Sequence, residues 1–108
     1  MIGVNTPLLH AKQPEPKIHR ISIQNFVFVP AQIEVHAGDV VEWSNADFAP
    51  HTATADNGSW DTDSIKNGGT ARIVVSVSGS ITYHCVYHPG MTGVIVVKPS
   101  AKQDRTKK

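Results

Sequence analysis

Residues 71–98 read ARIVVSVSGSITYHCVYHPGMTGVIVVK, and their pattern indicates the fold most clearly. Its β-branched and aromatic residues form short segments separated by Gly-Ser and Pro-Gly, as in strands that are joined by turns. Because side chains alternate along a strand, Ile81, Tyr83 and Cys85 share one face and His84 lies on the other. We therefore expect Cys85 to end a buried row of side chains, next to a loop.

The same pattern extends toward the N-terminus. IHRISIQNFVFV (18–29) and QIEVHAGDVVEWSN (32–45) are again rich in β-branched and aromatic residues, and no segment has a capped hydrophobic period of 3.6 residues. Gly-Asp at 38–39 and Gly-Ser at 79–80 are expected to close hairpins. About seven short strands predict an all-β fold, an antiparallel Greek-key sandwich of two sheets.

Length and composition indicate one small domain. The chain has 108 residues, 40% of them hydrophobic, and no apolar run is long enough to span a membrane. Residues 1–17 lack periodicity and carry three prolines, so we expect an extended arm with at most one edge strand. Residues 18–98 are expected to form the domain and 99–108 a basic tail. A net charge of +1 argues against a nucleic-acid partner.

The loop after the buried row carries a set of metal-binding side chains. Cys85, His88 and Met91 form a Cys-x-x-His-x-x-Met pattern. A thiolate, an imidazole and a thioether together suit copper in both oxidation states, whereas zinc rarely binds methionine. A second imidazole has to come from elsewhere in the chain. His51 is the candidate, because it follows a predicted strand that is expected to neighbour the strand of Cys85.

Each of these residues also has an ordinary structural interpretation. Cys85 can be a small buried side chain, Met91 can fill a gap in the core, and His51 and His88 can be exposed loop residues. Four candidate ligands at the end of one predicted sandwich favour the metal site instead. His84 is interpreted as a surface residue, since the chain has no His-x-His pair and no room for a second domain.

Together these residues resemble the cupredoxin family of small blue copper proteins. The resemblance covers about residues 18–98 and rests on three segments, which are FVFVPAQIEVHAGDVVEWSNADFAPHT (26–52), WDTDSIKNGGT (60–70) and ITYHCVYHPGMTGVIVV (81–97). It implies a cupredoxin-like sandwich with one type 1 copper ion. The implied ligands are His51, Cys85, His88 and, as the weak axial ligand, Met91.

The resemblance also implies a function. It describes a soluble, monomeric electron carrier that cycles Cu(II) and Cu(I) and is not an enzyme. The implied location is the periplasm, after removal of an export signal, and the implied partners are a donor dehydrogenase and a cytochrome or oxidase-type acceptor. These would dock near His88, on a small apolar patch formed by Phe48, Ala49, Pro50, Pro89 and Gly90.

Two other classes of function compete with this one. A copper delivery or storage protein would favour exposed Met/His clusters or paired cysteines, and the chain has a single cysteine. A subunit of a copper enzyme would need a metal position that is open to substrate, whereas four ligands close the site.

Two residues depart from the family pattern near the predicted ligands. Thr52 follows the first histidine, where family members often have Asn, and Val86 follows the cysteine, where they often have a hydroxyl residue. Val86 offers no side-chain hydrogen bond between the two ligand loops. Pro89 has no N–H to donate to the sulfur of Cys85. We therefore expect the loops to lack a side-chain link, and the amide of Thr52 to be the donor to this sulfur.

Overall fold

The computed structural model of the chain describes residues 15–100, so most of the predicted arm (1–17) and tail (99–108) lies outside the described residues. This part of the chain contains eight strands and no helix, hence no helix long and apolar enough to cross a membrane. The strands are β1 (Ile18–Gln24), β2 (Val27–Val29), β3 (Gln32–His36), β4 (Val40–Asn45), β5 (Thr54–Ala55), β6 (Thr70–Val74), β7 (Gly79–His84) and β8 (Thr92–Lys98).

The strands form two sheets of four. The first sheet has the order β2-β1-β4-β6 and the second has the order β3-β8-β7-β5, which confirms the predicted all-β sandwich. Strand direction differs from the prediction in one respect: β1 pairs with β4 and β3 with β8 in parallel, so the sheets are mixed and not purely antiparallel. The remaining pairs are antiparallel.

The prediction of hairpins at 38–39 and 79–80 was wrong. The chain turns at 37–39, but β3 and β4 lie in different sheets. Gly79 and Ser80 are not a turn, because they begin β7 and pair with Val97 and Val96. Residues 37–39 and 75–78 therefore carry the chain from one sheet to the other. The hairpin that is present in the second sheet joins β7 to β8 through residues 85–91.

Side-chain alternation places the core as the sequence predicts. Val41 and Trp43 of β4 are buried, and so are Tyr83 and Cys85 at the end of β7. The indole Nε1 of Trp43 donates a hydrogen bond of 3.3 Å to the hydroxyl of Tyr83, and burial raises the pKa of this hydroxyl to about 12. Tyr83 lies opposite Gly93 in the β7–β8 ladder, where a Cβ at position 93 would overlap the tyrosine ring.

Hydrogen bonds to Asp39 stabilise the start of the first sheet. This buried carboxylate accepts hydrogen bonds from the amides of Lys17 (3.1 Å) and His36 (3.0 Å) and lies 2.9 Å from Nε2 of His19. Burial raises the pKa of Asp39, but these three interactions outweigh it, so the pKa lies below its ordinary value. The carboxylate thus connects the entry to β1 with the turn between the sheets.

We expect an Asp39→Asn variant to lose about 1–3 kcal/mol of unfolding free energy at pH 7, because an amide cannot accept all these bonds. The lowered pKa means that this stabilisation is complete above about pH 4 and is lost as the pH falls through the folded-state pKa. Denaturant unfolding between pH 2 and 7 should show a flatter acid dependence for the variant. Exposed Asp63 makes a matched Asp→Asn control. Equal acid slopes for the Asp39 variant and the parent would contradict this role.

Candidate metal centre

Three predicted ligands come together at one end of the sandwich. His51 lies between β4 and β5 and exchanges backbone hydrogen bonds with Ile65, of 3.2 and 2.7 Å. Cys85 directly follows β7, and the loop that it begins is closed by bonds from the amide of His88 to the carbonyl of Cys85 (3.2 Å) and from the amide of Met91 to the carbonyl of His88 (2.8 Å). Backbone bonding therefore fixes both segments that carry these side chains.

The donor atoms of His51, Cys85 and His88 all lie within 4.8 Å of one another. Nδ1 of His51 is 3.7 Å from Sγ of Cys85, and Nδ1 of His88 is 4.0 Å from the same sulfur. Metal–nitrogen and metal–sulfur bonds are about 2.0–2.3 Å long, so two donors on one ion lie about 3–4 Å apart. The spacing and the chemistry of this donor set fit a copper ion.

Burial distinguishes the predicted ligands. His51 and Cys85 are fully buried, whereas His88 is half-buried and faces the surface. Met91 is buried within the same hydrophobic cluster as Cys85, and the amide of Cys85 donates a bond of 3.1 Å to its carbonyl. The loop thus brings Met91 beside the other three residues, and its role as axial ligand stays a prediction.

His51 reaches the site in a different way from the one predicted, which was that the strand before it would neighbour the strand of Cys85. The strand before it, β4, belongs to the first sheet and does not neighbour β7. The neighbour of β7 on this side is β5, which pairs Thr54 with His84. His51 is brought to Cys85 by the segment that crosses from β4 in one sheet to β5 in the other, at the open end of the sandwich.

Thr52 links the two ligand segments. Its amide donates to Sγ of Cys85 at 3.4 Å, which confirms the predicted donor. Its hydroxyl accepts a bond of 2.9 Å from the amide of Val86. The expected lack of a side-chain link was therefore wrong, because the valine contributes its backbone and the hydroxyl comes from the other loop.

Asp47 is a site residue that the sequence analysis missed. Its Oδ2 lies 2.9 Å from Nε2 of His51, on the side of the ring that faces away from the sulfur. Burial raises the pKa of Asp47, but hydrogen bonds from two backbone amides and from His51 outweigh it and leave the pKa below its ordinary value. An acid four residues before a ligand histidine was the available signal, since carboxylates commonly orient metal-binding imidazoles.

The residues that were predicted to form an apolar patch near His88 are mostly exposed. In the predicted patch, Phe48 is 94% exposed, Pro50, Pro89 and Gly90 are exposed, and Ala49 is half-buried. Phe26, which was not predicted, packs its ring against both His51 and His88.

His84 lies outside this end of the core. It points outward from β7 and remains partly exposed, in agreement with its interpretation as a surface residue. Its Nδ1 is 2.5 Å from Oδ1 of Asp56.

Comparison with known proteins gives the family. The family model described as a cupredoxin-like domain matches residues 3–97. Amicyanin from Paracoccus versutus is 24% identical over an alignment of 83 residues, which covers 72% of this chain and 63% of the relative. The chain thus spans less than two thirds of the length of that protein.

Solved structures share the fold. The crystal structure of amicyanin from Paracoccus versutus has a TM-score of 0.68 at 24% identity, over 82% of this chain and 87% of that one. A purple cupredoxin from Nitrosopumilus maritimus also reaches 0.68 at 24% identity, over 74% and 99% of the two chains. The copper-containing nitrite reductase from Thermus scotoductus reaches 0.68 at 26% identity, over 79% of this chain but only 23% of the enzyme. With its family model, its sandwich and its copper-type donor set, the chain belongs to the family of cupredoxin-like domains.

Proposed function

We propose that the protein is a small electron carrier that holds one type 1 copper ion through His51, Cys85, His88 and Met91. The observation that carries the proposal is the arrangement of three soft and borderline donors within 4.8 Å of one another at the buried end of a β-sandwich. When bound there, copper supplies a one-electron couple between Cu(II) and Cu(I).

The protein contributes a rigid donor set. Asp47 and the backbone of Ile65 hold His51, and the amide of Thr52 directs Cys85. Donors that keep their positions in both oxidation states reduce the rearrangement that each electron transfer requires. This supports a carrier more than a catalyst, because no substrate position is needed.

Electrons are proposed to enter and leave through His88, whose half-buried ring is the most exposed part of the donor set. The proposed partners are a donor dehydrogenase and a cytochrome or oxidase-type acceptor, and the proposed location is the periplasm, where the protein acts as a monomer. An apolar patch without charged side chains suits short encounters of low affinity.

The alternatives have weaker support. An enzyme would need a metal position that is open to substrate, whereas the four proposed ligands close the site. Copper storage favours exposed Met/His clusters or paired cysteines, whereas the chain has a single cysteine, which is buried.

Reconstitution tests the proposal directly. One equivalent of Cu(II) should give the intense visible charge-transfer band of a copper–thiolate bond, a narrow copper hyperfine splitting in EPR, and a reversible one-electron wave in voltammetry. Stoichiometric binding without the band would favour storage, and a second bound copper would favour an enzyme.

Charge placed on the patch should slow electron exchange. We expect Ala49→Glu and Gly90→Glu to lower the exchange rate with a redox partner about tenfold, because a carboxylate in an apolar contact must lose its water. The visible spectrum should not change. Val77→Glu is the matched control, since Val77 is 71% exposed near the start of β7, at the opposite end from Cys85. Unaltered exchange in both patch variants would place the docking surface elsewhere.

A further inference from the structure

A strained turn lies beside the donor set. Asn25 and Phe26 form the two-residue connection between β1 and β2, which pair Gln24 with Val27. Both residues have positive φ angles, 55° and 60°. Such turns favour Asn followed by Gly, and a bulky side chain in this conformation is costly. Phe26 therefore occupies a position where the backbone alone would select glycine.

The ring of Phe26 contacts the imidazole rings of both His51 and His88. It packs edge-on against His51, with centroids 4.9 Å apart and planes at 89°, and against His88, at 4.7 Å and 88°. The centroids of the two imidazoles are 5.4 Å apart, so a single phenyl ring spans both. Perpendicular ring pairs of this kind are stabilising beyond the area that they bury.

The turn is attached to the same carboxylate that orients His51. Asp47 accepts the amide of Asn25 through Oδ1 at 2.7 Å and the amide of Phe26 through Oδ2 at 2.8 Å. That second oxygen also lies 2.9 Å from Nε2 of His51. The backbone of Phe26 thus has a fixed position relative to the buried imidazole.

The two histidines differ in what else holds them. His51 is fully buried and has Asp47 behind its ring. For His88, the ring and hydrogen-bonding contacts of the side chain within residues 15–100 are Sγ of Cys85 at 4.0 Å and the rings of Phe26 and His51. The half-buried imidazole of His88 therefore depends more on Phe26 than the buried imidazole of His51 does.

We propose that Phe26 is a positioning residue that holds the imidazole of His88 toward Cys85, with the strained turn and Asp47 fixing the phenyl ring in place. This inference rests on the proposed function for its effect on copper. Its structural content, restriction of one imidazole ring, concerns the metal-free protein as well.

Two substitutions separate the ring from the backbone. Phe26→Gly removes the ring and suits a φ of 60°, and Phe26→Asn is a second such variant, because asparagine also tolerates this conformation. Phe26→Tyr keeps the ring and serves as the conservative rescue. Denaturant unfolding first identifies which ring-free variant is folded.

The first measurement is NMR of imidazole side chains in the metal-free proteins. We expect microsecond-to-millisecond exchange of the His88 ring in the ring-free variants, little change for His51, and parent behaviour in Phe26→Tyr. The second is transfer of Cu(I) from the loaded protein to a chelator, which should become about tenfold faster without the ring. The visible spectrum and reduction potential of Phe26→Tyr should match those of the parent.

Unchanged His88 motion together with unchanged Cu(I) transfer in a folded ring-free variant would overturn the proposal, as would equal mobilisation of His51 and His88. Failure of the proposed function gives a different result, in which the parent itself shows no copper–thiolate band. The NMR measurement on the metal-free protein still decides the role of Phe26 in that case.

Discussion

We expect replacement of Cys85 by serine to abolish the copper–thiolate band of the reconstituted protein. The band requires charge transfer from a thiolate, and a serine hydroxyl neither ionises near neutral pH nor offers a soft donor to Cu(I). The effect should be all-or-none, since Cys85 is the single cysteine and its Sγ lies 3.7 and 4.0 Å from the two imidazole nitrogens. Absorption and EPR spectra after addition of one equivalent of Cu(II) measure it.

Met91→Gln is the matched comparison for this experiment. If Met91 is the weak axial ligand, glutamine keeps the thiolate band and lowers the reduction potential, because a harder oxygen donor favours Cu(II). A Cys85→Ser protein that retained the band would refute the ligand assignment. A Met91→Gln protein with the potential of the parent would remove Met91 from the ligand set.

Gly93→Ala lowers the unfolding free energy by about 2–3 kcal/mol, the largest loss of stability that we expect from a single added methyl group. The new Cβ would meet the ring of Tyr83, which is fully buried. Relief requires β7 and β8 to separate or the tyrosine to leave its hydrogen bond with Trp43. Urea denaturation monitored by tryptophan fluorescence measures the loss.

Gly90→Ala is the control for that substitution. A Cβ at Gly90 meets nothing within 4 Å, and its φ is not in the left-handed region, so unfolding should shift by less than about 0.5 kcal/mol. Both glycines flank Met91 in sequence, which makes the pair well matched. Equal midpoints for the two variants would show that Tyr83 has room that the structure does not provide.

Local sequence patterns predict the strands and the inward faces because alternation is a property of each strand by itself. Val41, Trp43, Tyr83 and Cys85 are buried as their positions in the pattern require. Strand partners do not follow from such patterns. Gly-Asp at 38–39 marks a change of chain direction, but nothing local decides whether the next strand joins the same sheet or the opposite one.

The residues of the candidate site can likewise be divided into those predicted from local sequence and those that depend on contacts between distant segments. Cys85, His88 and Met91 lie in one short loop, so their proximity is local and the sequence predicts it. Phe26 acts through contacts with segments more than twenty residues away, and those contacts depend on how β1 and β4 are placed side by side. Asp47 lies four residues before His51, so its role could have been predicted from the sequence. A backbone donor such as the amide of Val86 leaves no trace in side-chain identity, and this is why the link to Thr52 was missed.

The central position of β8 in the second sheet governs when the protein can fold during synthesis. Its register pairs Gln32 with Val94 and His36 with Lys98, so β3 has to wait until β8 has been made. Contacts between such distant residues form slowly, and a nascent chain cannot make them until Lys98 has left the ribosome. Any chain that ends before β8 lacks the middle of this sheet. Assembly of the second sheet, and of the donor set at its end, is therefore expected only after β8 has left the ribosome.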